Sequence, residues 1–372
     1  MGGRLLLKIR YSIDSGWRLN SFNALRLILA LIVLIGHSFS ISGNQFNFSI
    51  AEIPLTSLSV YCFFILSGYL ITPGLVNGGG FNYIVRRIAR IYPAYIGVII
   101  IVGFGFSSLW QKMAPVKSFN LFDQIRYVFF NLLPPPGLFN QESKMVDFLG
   151  GQPTSVPRDG VPNGSLWSLT LEFLAYLALF LLFISSRKFG KSFKLILFWI
   201  FFATYIWAII GSICLGKYSI DNPTIFQSIL LKWPYLLGFC SGALLSMIKE
   251  KKLNSNFTSF FAFTLFLVST TRPFFFALFG VFALTIFIVN LGKSKTFTYF
   301  PLGIDISYGV YLYHFPVEQS LAHFIQIRQN FVVFVSFSIV ATCLLAFVSA
   351  RFIEGPSQRM AKTWLTKRQL GK

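Results

Sequence analysis

The stretch that decides the fold reads ALRLILALIVLIGHSFS and covers residues 24–40. Apart from Arg26 and His37 it contains no ionisable side chain. Its length approaches the roughly 20 apolar residues that a helix needs to cross a bilayer. We therefore predict a membrane-spanning helix here. Similar apolar runs recur along the chain, so the fold class that we predict is an all-α, polytopic transmembrane helical bundle.

The composition excludes a water-soluble globular enzyme. Of the 372 residues, 55% are hydrophobic and only 12% are charged, which is about half the charged share of an ordinary soluble domain. A single core could not bury that much apolar surface. The net charge of +20 is therefore better explained by basic cytoplasmic loops of a membrane protein than by nucleic-acid binding.

The number of spans and their direction follow from apolar length and charge. If the N-terminus is cytoplasmic and the chain crosses ten times, 23 of the 32 basic residues fall on the cytoplasmic side. This bias predicts ten spans in one membrane domain, residues 1–372, with both termini inside. The candidate spans are 24–42, 56–74, 91–107, 165–184, 193–215, 227–248, 256–270, 273–292, 301–325 and 331–352.

Two segments lie outside these spans. Residues 108–164 are rich in proline and glycine, and we predict a long extracytoplasmic loop with a short interfacial helix around residues 120–133. Such a loop either closes over an acceptor or is a mobile connector. Residues 353–372 are predicted to form a basic cytoplasmic tail.

Ionisable residues inside spans are functional candidates because a charge at mid-membrane is costly. Arg26 and His37 are eleven positions apart, which places both on one helix face with an axial separation of roughly 16 Å. The structural alternatives are an arginine that snorkels to the interface and a histidine bonded to a neighbouring helix.

A compact basic cluster lies in the segment FNYIVRRIARIYPAY, residues 81–95. Its members, Arg86, Arg87 and Arg90, carry guanidinium groups that suit phosphate oxygens. The cluster is interpreted either as a binding site for a cytoplasmic, phosphate-bearing ligand or as an ordinary positive-inside anchor.

Two polar stripes cross apolar helices. In the segment from 165 onward, Ser165, Ser168, Glu172 and Tyr176 follow helical spacing, and Glu172 must be protonated, paired or exposed to water.

The pair Ser67-Gly68 on the second span favours helix packing.

The ninth span, ISYGVYLYHFPVEQ from residue 306, carries the second stripe: Ser307, Tyr311, His314 and Glu318. Pro316 can free a backbone carbonyl. His314 either orients a catalytic group or makes a plain interhelical hydrogen bond.

The sequence contains neither a phosphate-binding glycine loop nor a Cys/His metal motif. A basic inner cluster with buried histidines fits acyl transfer from coenzyme A to an outer hydroxyl, with histidine as base or nucleophile. A transporter or flippase of lipid-linked sugars could use the same parts. A structural membrane protein is disfavoured by the number of ionisable groups within spans.

The sequence resembles the acyltransferase 3 family of membrane O-acyltransferases. The resemblance rests on RLILALIVLIGH, FFILSGYLIT, RRIARIYPAY, SLWSLTLEF and ISYGVYLYHFPV, which run in family order over essentially the whole chain. It implies about ten helices and acetyl-CoA as the usual donor. It also implies that His37 is catalytic with Arg26 as its motif partner, and that the inner arginines bind the donor.

From residues and resemblance together we predict a bacterial inner-membrane O-acetyltransferase that acts on a surface polysaccharide or its lipid-linked precursor. The chain resembles the stand-alone members without a C-terminal SGNH-type domain, so a separate partner acyltransferase is conceivable. No metal and no nucleic acid are expected. The predicted catalytic residues are His37, Arg26, Glu172 and His314; the donor-binding residues are Arg86, Arg87 and Arg90; and the substrate or packing residues are Ser67, Trp167, Ser168 and Tyr311.

Overall fold

The fold is a bundle of apolar helices, as the composition predicts. The structure is a computed structural model that describes residues 21–44, 49–50, 53–113, 121–132, 162–215, 225–248, 256–294, 304–324 and 329–370. Within these ranges, seven helices are long and apolar enough to cross a membrane. The all-α class is therefore confirmed, while the count of ten spans and the direction of the termini stay predictions.

Among the described residues of the N-terminal half, the first element is α1, and a two-stranded antiparallel hairpin separates it from α2. The hairpin is a small exception to the all-α prediction. The helix α3 continues through a π-helical segment, Ile101–Phe106, into α4. The elements are α1 (Ser21–Ser42), β1 (Ser49–Ile50), β2 (Ile53–Pro54), α2 (Leu55–Gly78), α3 (Gly80–Ile100), α4 (Ser107–Met113) and α5 (Leu121–Asn131).

The described part of the C-terminal half contains two further π-helical segments, Phe276–Gly280 and Ala350–Glu354, each continuous with the helices beside it. The elements are α6 (Trp167–Lys188), α7 (Phe193–Leu215), α8 (Ile225–Ser246), α9 (Asn256–Ser269), α10 (Pro273–Phe275), α11 (Val281–Lys293), α12 (Ser307–Leu321), α13 (Phe331–Ser349) and α14 (Gly355–Leu370).

Three predicted segments differ from the structure. The third span is longer than predicted, because α3 begins at Gly80 and so includes the arginine cluster. The ninth is shorter, because α12 covers only Ser307–Leu321. The predicted tail is a helix that continues the last span. A helix, α5, is present where the interfacial helix was predicted, and its location at the membrane interface stays a prediction. Residues 133–161 of the predicted loop lie outside the described residues.

The helix α12 lies at the centre of the bundle. Every residue from Ser307 to Ser320 is buried, which is the property of a helix enclosed on all sides. Its main neighbours are α1 and α13. The approach to α13 is close at Gly309, where an added Cβ would lie 2.8 Å from the Cα of Ala346. The polar residues of α12 are therefore held away from lipid.

The outer surface of the bundle is apolar. Large side chains on α7, α9 and α13 point outward, among them Trp199, Phe257 and Leu344, which are 58%, 78% and 63% exposed. A soluble protein rarely exposes so many large apolar residues together. These helices therefore present a surface suited to acyl chains.

The helices α2 and α8 cross at very close range through reciprocal glycines. A Cβ on Gly68 would lie 2.9 Å from the carbonyl carbon of Phe239, and a Cβ on Gly242 would lie 2.9 Å from that of Ile65. Backbones can approach this closely only where small residues face each other. The packing interpretation of Gly68 is confirmed.

We expect Gly68→Ala and Gly242→Ala each to destabilise the protein by about 1–3 kcal/mol, because backbone atoms must move to accept the new methyl group. Thermal unfolding of the detergent-purified protein measures the effect. Gly74→Ala on the same helix is the matched control, since nothing lies within 4 Å of the Cβ it would add. Equal melting temperatures for all three variants would contradict this view of the contact.

Candidate functional site

The centre of the candidate site is a stacked pair of histidines from α1 and α12. The ring centroids of His37 and His314 are 5.4 Å apart with 30° between the ring planes. Phe315 lies edge-on to His37 at 5.3 Å. His314 is fully buried, whereas His37 is partly exposed. His37 is thus the more accessible of the two histidines.

The tautomer of His314 follows from its hydrogen bonds. Its Nδ1 lies 2.9 Å from the carbonyl oxygen of Tyr311 and 3.2 Å from that of Val310. A carbonyl oxygen can only accept, so Nδ1 carries the hydrogen and donates. In the neutral ring the lone pair then lies on Nε2, which is buried and has no hydrogen-bond partner among the described residues.

Tyr311 links the histidine pair to α6. Its hydroxyl lies 2.6 Å from the hydroxyl of Ser168, and its ring lies 5.9 Å from that of His314. Phe63 of α2 packs edge-on against the same tyrosine at 5.7 Å. The predicted substrate or packing residues Ser168 and Tyr311 are therefore brought together one turn from His314.

Glu172 is bound by two hydroxyl groups. Its Oε1 accepts a hydrogen bond from the Ser67 hydroxyl at 2.7 Å and another from the Tyr176 hydroxyl. Its hydrogen-bond partners among the described residues are thus on α2 and α6, not the histidines. The carboxyl is therefore satisfied by hydroxyl donors, and Ser67 has a polar role beside the packing role of Gly68.

Trp167 packs edge-on against Tyr235 of α8 at 5.4 Å.

The opposite end of α1 carries a charged cluster around Asp305. The Asp305 carboxylate lies 2.7 Å from Arg90 and 3.7 Å from Arg26. It also accepts hydrogen bonds from the backbone N–H and the hydroxyl of Ser307, at 3.1 and 2.6 Å. Asp305 therefore satisfies the first turn of α12 and joins that turn to α1 and α3.

The inner arginines are not equivalent. Arg90 is paired with Asp305, Arg87 is half-buried near the Tyr176 hydroxyl, and Arg86 is exposed. Arg26, predicted as the motif partner of His37, faces Asp305. Because Arg26 meets residue 305 and Ser38 meets residue 318, α1 and α12 run parallel, with the arginines at one end and the histidines toward the other.

Pro316 frees a carbonyl, as predicted, and a side chain from another segment takes it. Proline has no N–H to bond the carbonyl of Leu312 four residues earlier. Asn163 donates its Nδ2 hydrogen to that oxygen at 2.8 Å, and the Ser165 hydroxyl donates to Asn163 Oδ1 at 2.6 Å. A buried residue of the segment before α6 thus satisfies the carbonyl that Pro316 leaves without its helical hydrogen bond.

Sequence reasoning missed four contributors: Ser38, Asn163, Asp305 and Glu318. Glu318 was placed on the same helix face as His314 but was given no role. The Ser38 hydroxyl donates to Glu318 Oε1 at 2.8 Å. For Ser38 the sequence did offer a signal, since this residue directly follows His37. No three His, Cys, Asp or Glu side chains form a metal-binding group within the described residues.

Comparison of the sequence with known proteins identifies its family. The model of the acyltransferase 3 family, described as an acyltransferase domain, matches residues 19–351. The chain belongs to the acyltransferase 3 family. It is therefore an O-acyltransferase with membrane helices, and the transporter interpretation is set aside.

Three curated relatives are similar over nearly the whole chain. The "O-acetyl transferase" of Shigella phage Sf6 is 26% identical, covering 90% of this chain and 95% of its own length. The "Peptidoglycan O-acetyltransferase OatA" of Listeria monocytogenes is 26% identical over 89% of this chain and 54% of its own length. "Nodulation protein 10" of Rhizobium leguminosarum is 24% identical over 95% and 97%. No solved structure matches the chain.

We expect Asp305→Asn to destabilise the protein by about 1.5–3 kcal/mol, because two largely buried arginines lose their anionic partner. Thermal unfolding in detergent measures the loss. Arg359→Gln, which removes a charge from an exposed position on α14, is the control and leaves the melting temperature unchanged. An Asp305→Asn protein as stable as the wild type would mean that the cluster does not hold α12 in place.

Proposed function

We propose that this protein transfers an acetyl group from cytoplasmic acetyl-CoA to a hydroxyl of a cell-surface polysaccharide or its lipid-linked precursor. The acceptor class includes O-antigen, capsule and exopolysaccharide repeat units. The observation that supports the proposal is the polarity of the parallel pair α1 and α12, with arginines at one end and stacked histidines toward the other. The protein would act in the bacterial inner membrane, with both termini cytoplasmic.

The donor end suits a ligand with several phosphates. Coenzyme A carries phosphate groups, and guanidinium forks bind phosphate oxygens well. Arg90 and Arg26 already share Asp305, which leaves Arg87 as the half-buried guanidinium for the donor. Arg86, being exposed, contributes mainly through long-range attraction, which salt screens.

The reacting end suits acyl transfer to an oxygen. In the base route, neutral His37 takes the proton of the acceptor hydroxyl while that oxygen attacks the thioester carbonyl. The new C–O bond forms, the C–S bond breaks, and the proton passes to the departing thiolate. In the alternative route, a His37 ring nitrogen attacks the thioester carbonyl, the C–S bond breaks, and the thiolate leaves with the proton of the other ring nitrogen. The acceptor oxygen then takes the acetyl group, and its hydroxyl proton restores the neutral ring.

The relatives support an acceptor on a glycan. Two carry names that state O-acetyl transfer, and one of these names peptidoglycan. We therefore place the acceptor among carbohydrate hydroxyls outside the membrane. A separate partner that completes the transfer is compatible with this scheme.

We expect His37→Ala to reduce acetyl transfer at least about 100-fold, because it removes the group that handles the hydroxyl proton or the acetyl group. The assay incubates inner-membrane vesicles carrying the surface glycan with radiolabelled acetyl-CoA and measures glycan-bound label. His323→Gln is the matched histidine control and retains activity. Retained transfer by a well-expressed His37→Ala protein would remove His37 from the chemistry, and an inactive wild type would overturn the proposed function.

Arg87→Ala is expected to raise the KM for acetyl-CoA about 10- to 100-fold with little change in kcat, because a charge-assisted hydrogen bond to phosphate contributes about 1.5–3 kcal/mol. The measurement is the initial rate against acetyl-CoA concentration. Arg86→Ala gives a smaller increase, and Arg359→Ala gives none. If KM is the same for all of these variants, the cluster is only a topology anchor.

A further inference from the structure

Glu318 is a carboxyl group buried at the level of the histidine pair. It is fully buried on α12, one turn after His314. Its Oε1 accepts the hydrogen bond from Ser38, and its Oε2 has no hydrogen-bond partner among the described residues. Within that part of the chain, no lysine, arginine or histidine forms an ion pair with it.

The two acidic groups at the ends of α12 have opposite surroundings. Asp305 lies between two guanidinium groups, so its negative charge is compensated. Glu318 is fully buried and accepts a hydrogen bond from a hydroxyl, and an uncompensated carboxylate there would cost several kcal/mol. Its surroundings therefore favour the neutral carboxylic acid.

The hydrogen bond from Ser38 to Glu318 lies where it can fix the position of His37. Ser38 directly follows His37 on α1, and Glu318 lies one turn beyond His314 on α12. The bond therefore ties the two helices together beside the stacked rings. Ring stacking is weakly directional, whereas a hydrogen bond of 2.8 Å fixes both distance and angle.

We propose that Glu318, as a neutral carboxylic acid, is a positioning residue that holds His37 in its reactive orientation through Ser38. The proposal rests on the acyl transfer at His37 proposed above. Small displacements of a catalytic group can reduce a rate about 100-fold. The bond is distant from the arginine cluster, so donor binding does not depend on it.

Three variants test this role. Glu318→Gln keeps a neutral oxygen that accepts from Ser38, so kcat stays within about twofold of the wild type. Glu318→Leu removes the acceptor, and kcat falls about 10- to 100-fold while the KM for acetyl-CoA is unchanged. Ser38→Ala gives the same loss, and the double variant Ser38→Ala with Glu318→Leu is no worse than either single variant.

A second measurement does not depend on activity. The chain has three histidines, and the rate at which diethyl pyrocarbonate modifies each one can be followed by mass spectrometry. If the bond positions His37, its modification rate changes in Glu318→Leu and Ser38→Ala but not in Glu318→Gln. Ser338→Ala, which removes another fully buried hydroxyl, from α13, is the control in both assays.

The outcomes are distinct. A Glu318→Gln protein as slow as Glu318→Leu would show that the carboxyl must transfer a proton, which overturns the positioning role. A Glu318→Leu protein with normal kcat and normal His37 reactivity would also overturn it. A wild type that transfers no acetyl would overturn the proposed function, while the reactivity of His37 would still decide the role of Glu318.

Discussion

The parallel contact between α1 and α12 is the constraint on which the site depends. It is fastened at one end by the Asp305 carboxylate between Arg26 and Arg90, and toward the other by the His37–His314 stack and the bond from Ser38 to Glu318. Each fastening uses polar groups that would be costly to leave unpaired in the core of a membrane protein. The register of the two helices is therefore set by electrostatics and hydrogen bonding, and apolar packing fills the space around them.

Under the proposed function, this arrangement separates the two demands of acyl transfer. Recognition of a polyanionic donor needs permanent positive charge, whereas proton handling needs a neutral imidazole in a site of low polarity. The helices α1 and α12 hold these two requirements about three helical turns apart. Glu172 differs from Asp305: its carboxyl is partly buried between α2 and α6 and is satisfied by two hydroxyl donors, with no ion pair among the described residues.

The fold class was readable from the sequence because long apolar runs predict membrane-spanning helices. The helical spacing of Tyr311, His314 and Glu318 likewise predicted a shared face. What the sequence could not provide was the partner of each polar group. The bond from Tyr176 to Glu172 lies within the stripe that helical spacing predicted. The bonds from Ser67 to Glu172 and from Ser38 to Glu318 instead join residues 105 and 280 positions apart, and helical periodicity carries no information about contacts between helices.

The proline and the buried polar residues of α12 have a consequence for how the protein is assembled. This helix has only fifteen residues and carries buried His, Glu and Gln side chains, so on its own it is a poor substrate for lateral release from a translocon. Ser38 and Asn163, which donate hydrogen bonds to Glu318 and to the Leu312 carbonyl that Pro316 leaves open, precede α12 in the chain and are synthesised before it. The same is true of Arg26 and Arg90, the partners of Asp305 just before the helix. We therefore expect α12 to insert stably only together with earlier helices, which supply the hydrogen-bond donors that lipid cannot.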